Sequence, residues 1–89
     1  MIDRAKASEI AMKRLSSMEP DVGASLVLTE VREFAFGWLF FYNSKSYVES
    51  GDISDALAGN APFLVDSNAG DIHVLGTANP IEFYLRDFQ

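Results

Sequence analysis

At 89 residues the chain has room for one domain around one core, and a domain of that size is only marginally stable unless a staple or a partner helps it. The absence of cysteine excludes disulfide and thiolate chemistry, and thirteen acidic against seven basic residues leave a net charge of −6 that repels nucleic acid. The longest apolar run, Phe34 to Tyr42, is nine residues, about half of the ~18 that a membrane-spanning helix requires.

The opening residues MIDRAKASEIAMKRL alternate charge with small apolar groups and lack the continuous apolar stretch of a signal peptide, so an intracellular, cytoplasmic protein is expected. Apolar positions then recur at Ala7, Ile10, Ala11, Leu15 and Met18, the stripe of an amphipathic helix running from Asp3 to Ser17. Asp3 fits its N-cap, Lys13 and Arg14 fall in its closing turns, and Glu19-Pro20 ends it because proline cannot continue the hydrogen-bond ladder.

Ala24 to Val31 reads as a strand, with Leu26 and Leu28 on one face and Ser25 and Thr29 on the other. Arg32-Glu33 is the expected turn. In the run that follows, Phe36, Trp38, Phe40 and Tyr42 share one face and Ala35, Gly37, Leu39 and Phe41 the other. Both faces are apolar, which predicts a central strand packed on both helices, or else a face left for a partner or a second copy of the chain.

Asn43 to Asn60 is polar and punctuated. A short helical turn is expected over Ser46 to Ser50, and Asp52 or Ser54 can cap another that includes Ala56 and Leu57 and stops at Gly59. Gly-Asn-Ala-Pro at 59–62 reads as punctuation, with Pro62 forcing an extended Ala61 into the next strand. Strands over Phe63–Asp66 and Asp71–Leu75 form a hairpin through Ser67-Asn68-Ala69-Gly70, with glycine where positive φ is expected. The chain closes on a helix with Asn79 as N-cap, Pro80 at N1 and Glu82 completing a capping box, its apolar stripe formed by Ile81, Tyr84, Leu85 and Phe88. The expected fold is therefore a single α+β domain over 1–89: a four-stranded antiparallel sheet with an N-terminal and a C-terminal helix, in the order α-β-β-(short helical loop)-β-β-α.

No chemistry-bearing pattern stands out. His73, the sole histidine, lies two residues from Asp71 on one strand face, but nothing completes a triad with them. Asp66 and Asn68 match the first and third ligands of a calcium loop, and the match then fails at Gly70, Asp71 and Thr77. Glycines are dispersed singly, without a nucleotide-binding pattern, and the aromatic strand lacks the basic neighbours of an RNA platform. No metal, cofactor or catalytic residue is expected.

Charge is distributed unevenly. Acids and bases balance over residues 1–32, whereas residues 33–89 carry eight acids against Lys45 and Arg86. Such a field speeds association with a basic protein. Glu49, Asp52 and Asp55 form the densest acidic cluster, in the longest loop, where function tends to concentrate.

Gly37-Trp38, Glu49-Ser50-Gly51-Asp52, Ala58-Gly59-Asn60-Ala61-Pro62, Asp66 with Gly70 and Ile72, and Gly76-Thr77-Ala78, taken in this order, resemble the immunity protein 35 family of bacterial polymorphic toxin systems. The likeness covers nearly the whole chain and is weakest over residues 1–30. It implies a small non-enzymatic cytoplasmic protein that binds and neutralises a cognate toxin domain, and it supplies no catalytic residues. If neutralisation is by occlusion, the expected contact surface is the Tyr47–Asp55 loop, with Tyr47 as aromatic anchor and Glu49, Asp52 and Asp55 as steering charges for a basic toxin. The alternative is a small chaperone-like or general protein-interaction module that uses exposed aromatic surface at Phe36, Trp38 and Phe40, with weak and broad binding.

Overall fold

In the computed structural model, which describes residues 1–57 and 60–88, the Asp3 carboxylate accepts from the Lys6 amide at 2.9 Å and opens α1, Arg4–Val22. The predicted stripe faces inward, with Ala7, Ala11 and Leu15 buried and Ile10 and Met18 packed beside them. The helix does not end at Pro20. Proline removes one donor in the last turn only, and the chain completes that turn before the Gly23 amide closes on the Glu19 carbonyl at 2.8 Å. Lys13 and Arg14 consequently lie well inside the helix rather than at its end. The Glu19 carboxylate reaches forward to accept from the Leu26 amide at 2.7 Å and ties the helix to the first strand.

Strand β1 spans Leu26–Phe34 and β2 spans Gly37–Ser44, paired antiparallel with a bulge between Leu28 and Glu30. The extra residue at Thr29 reverses the alternation, so Leu26, Leu28 and Val31 all reach the core beneath α1. Arg32 and Glu33 are not a turn. Both are paired strand residues: the Glu33 carboxylate accepts from Trp38 Nε1 at 3.2 Å, and the Arg32 guanidinium lies 4.9 Å from the centre of the Phe41 ring. The chain reverses instead at Ala35-Phe36, between paired Phe34 and Gly37.

Strands β3, Phe63–Asp66, and β4, Ile72–Val74, complete a meander in the order β1-β2-β3-β4. Gly70 takes the expected positive φ in the connecting turn. The expected stop at Gly59 lies outside the described residues.

The sheet divides two apolar clusters. Trp38, Phe40 and Tyr42 of β2, with Phe63 and Val65 of β3, face α1. Leu39 and Leu64, both fully buried, face the other way toward Leu75 and Leu85. That second layer is covered by α3, Ile81–Leu85, and the single-turn 3-10 helix Arg86–Phe88 that follows it. Phe36, in the turn, joins this side, stacked between Phe34 at 5.0 Å and Phe88 at 5.9 Å. The central strand is therefore covered on both faces within one chain, and the ground for leaving a β2 face to a second copy is removed.

The closing capping box does not form. The N-cap is Pro80, without a side-chain cap, and both nitrogens of Asn79 donate to the Tyr84 hydroxyl, at 3.2 Å from the backbone and 3.5 Å from the side chain. No helix among the described residues is long and apolar enough to cross a membrane.

Candidate partner-binding surface

The acidic segment leaves the sheet at Ser44, which is 2% exposed. Its hydroxyl does two things at once: it accepts from the Tyr47 amide at 3.1 Å, capping α2 (Lys45–Ser50), and donates to the Asp55 carbonyl at 2.6 Å. Asn43 Oδ1 accepts from the amides of Ser44 at 2.8 Å and Leu57 at 2.9 Å, fastening the far end of the segment to the same strand. Between these anchors the chain turns at Gly51, whose amide donates to the Tyr47 carbonyl at 2.7 Å and whose φ of 72° favours glycine.

The acids are partly built into this frame. Asp52 caps a second 3-10 turn, Ile53–Asp55, accepting from the Ser54 amide at 3.0 Å and the Ser54 hydroxyl at 2.9 Å. These bonds, the backbone one foremost, hold its carboxyl below the usual aspartate range. Asp55 accepts from the Ser50 hydroxyl at 3.1 Å. Glu49 makes no such bond among the described residues, and all three acids are exposed. Tyr47 is half-buried. Within this segment the most exposed apolar groups are Val48, 52% exposed, and Ile53, 79% exposed. Sequence reasoning missed these two, and the signal available was their place inside the acidic cluster. The result is a segment fastened to β2 that exposes two apolar side chains alongside three carboxylates.

The other expected sites are placed differently. His73 Nε2 lies 2.8 Å from Asp66 Oδ2, so its partner is Asp66 and not Asp71, which is exposed outside β4. The strand register explains the pairing: His73 stands opposite Leu64, two residues from Asp66 on one face. Asp66 also binds the turn, accepting from the amides of Ala69 at 2.8 Å and Gly70 at 3.1 Å. The Ala69 amide first and His73 second hold its carboxyl below the usual value. The carboxylate that opens the calcium-like stretch is thus committed to the hairpin. No three His, Cys, Asp or Glu side chains among the described residues could hold a metal ion together. The aromatic surface that a folding helper would use is closed, with Trp38 and Phe40 buried and Phe36 half-buried in its stack. One further concavity of about 350 Å³ lies between α1 and β1, lined by Met12, Leu15, Glu19, Leu26 and Leu28.

Comparison with known proteins follows the same outline. A family model described as immunity protein 35 matches residues 5–87. A relative from Escherichia coli (strain K12), described as "Uncharacterized protein YrhB", is 44% identical over 69 residues, which cover 78% of this chain and 73% of the relative. No solved structure matches the chain significantly.

Proposed function

The chain belongs to the immunity protein 35 family, and we propose from that membership that it binds a cognate toxin domain and neutralises it by occlusion. The contact surface in this reading is the α2 ledge, with Val48, Ile53 and Tyr47 as the apolar centre and Glu49, Asp52 and Asp55 as steering charges for a basic partner. The observation that carries the choice of surface is the exposure of Ile53, at 79%, on a segment hydrogen-bonded to β2 near its start at Tyr47 and at its end at Asp55 and Leu57. An ordered segment loses little conformational entropy on binding, so its apolar groups contribute more fully to affinity. Binding by shape and charge requires no nucleophile.

The test is capture of the tagged chain with its ligand at moderate salt, followed by reconstitution. A stoichiometric partner with a toxin domain, whose activity the purified chain abolishes at equimolar ratio, supports the reading. A broad set of unrelated proteins, none inhibited, overturns it. Changing Glu49, Asp52 and Asp55 together to their amides keeps one acceptor oxygen on each side chain and removes the charge. Association should then slow by about tenfold or more and lose most of its salt dependence; an unchanged association rate removes this ledge as the contact surface.

A further inference from the structure

Strand β1 is the longest in the sheet, nine residues, and lies at its edge, so one side of its backbone has no strand partner among the described residues. Leu26, at one end, has its amide taken by Glu19. The middle of the strand carries Glu30, Val31 and Arg32, with the acid 50% and the base 48% exposed at their side chains and in contact with each other. Opposite charges placed symmetrically about one residue form a sequence that complements itself when two copies run antiparallel.

We propose that the outer edge of β1 is the interface of a symmetric homodimer, paired antiparallel about a two-fold axis at Val31 so that Glu30 of each copy faces Arg32 of the other. Charge selects this register. Moving the axis to Glu30 sets two carboxylates opposite each other, and moving it to Arg32 sets two guanidiniums opposite each other, both unfavourable. In the chosen register Thr29 faces Glu33, a hydroxyl against a carboxylate, and the two meanders join into one sheet of eight strands. The bulge at Thr29 falls at the end of this central stretch and limits regular pairing to it. The acidic ledge adjoins the Leu26 end of β1, where the Lys45 amide meets the Ser25 carbonyl at 2.8 Å, whereas the proposed pairing is centred on Val31. Dimerisation is tested without a toxin, so the proposal stands or falls independently of toxin binding.

The test uses the full chain alone. Mass measured by light scattering over roughly a hundredfold range of protein concentration should rise twofold, and less so at high salt. Glu30→Arg and Arg32→Glu should each give monomer at concentrations where the native chain is dimeric, with unchanged far-ultraviolet dichroism, and the double exchange should restore the dimer. Because the chain contains no cysteine, Val31→Cys gives an independent readout: at a two-fold axis the paired Cα atoms fall within disulfide reach. This variant should form a covalent dimer on mild oxidation, whereas Val48→Cys should not. A native chain that stays monomeric at the highest concentration, single charge reversals that dimerise as well as the native chain, or a Val31→Cys variant that cross-links no faster than Val48→Cys would each overturn the proposal.

Discussion

Replacing Gly37 by alanine should come close to unfolding this protein. Gly37 opens β2 at φ 155°, in the region that L-residues avoid, and holding alanine there costs about 1–3 kcal/mol. A Cβ built at this position runs into the Val65 carbonyl oxygen and stands 2.9 Å from Asp66 Cα. Both are backbone atoms of β3, which is paired to Gly37 itself, so no side-chain rotation relieves the overlap. Such overpacking typically costs a further ~1–3 kcal/mol. The sum, about 2–6 kcal/mol, is comparable to the ~4–13 kcal/mol expected for a chain of this length. Urea unfolding followed by the fluorescence of Trp38, the sole tryptophan and 7% exposed, reads the loss directly. With a slope near ~1 kcal/mol per molar urea the midpoint should fall by about 2 M or more. Gly51→Ala is the control, because Gly51 also has positive φ but a Cβ there meets nothing within 4 Å, leaving a cost of only about 1 kcal/mol. If Gly37→Ala loses no more than Gly51→Ala, the close approach of β2 to β3 is not what requires glycine, and the reasoning fails.

Four other substitutions test separate parts of the structure. Leu39→Ala and Leu64→Ala, both at fully buried positions of the second layer, should each cost about 2–5 kcal/mol by the same urea assay. Asp66→Asn should cost about 1–2 kcal/mol near neutral pH, since the ionised carboxylate accepts from the Ala69 amide and pairs with His73. Its folded pKa lies below the unfolded value of about 3.9, so the native advantage over this variant should be complete above that pH and vanish as pH falls through the folded value. Ser44→Ala removes the hydroxyl that bonds both Tyr47 and Asp55. It should speed amide exchange across 45–55 and, where a partner has been identified, raise its dissociation rate more than it lowers its association rate, because the charges remain.

The sequence was most legible where a periodic pattern met a core. The stripe of α1 and the whole of β3 form as the spacing predicts, and so do the two faces of β2 from Trp38 to Tyr42. Phe36, expected on the Trp38 face, instead falls in the turn before β2 and packs with the opposite layer, because the strand starts only at Gly37. Punctuation was less legible. Pro20 is a helix breaker by propensity, yet near the last turn it forfeits one bond only. The charged doublet Arg32-Glu33 suggested a turn because its two stabilising contacts, to Phe41 and Trp38, lie beyond the reversal and are invisible until the strands pair. A one-residue bulge at Thr29 has no sequence signature of its own. Asp66 and His73 could have been matched from the two predicted strands and their four-residue connection, since that register sets His73 across from Leu64. Proximity in sequence favoured Asp71 instead. At the acidic ledge the segment's existence and its charges were readable, but which apolar groups it exposes depends on how Ser44 and Asn43 orient it.

The meander has a consequence for the order in which the molecule is made. Each strand pairs with the one synthesised just before it, so the sheet can grow by short loop closures, which favour fast folding. The first helix can complete its packing only later: the cluster it covers includes Phe63 and Val65 as well as β1 and β2 residues, and the Ile2 amide meets the Ser67 carbonyl at 2.9 Å. On a ribosome the stripe of α1 can therefore be fully covered only once β3 and the turn after it have emerged, so the segment synthesised first is among the last to be fully secured.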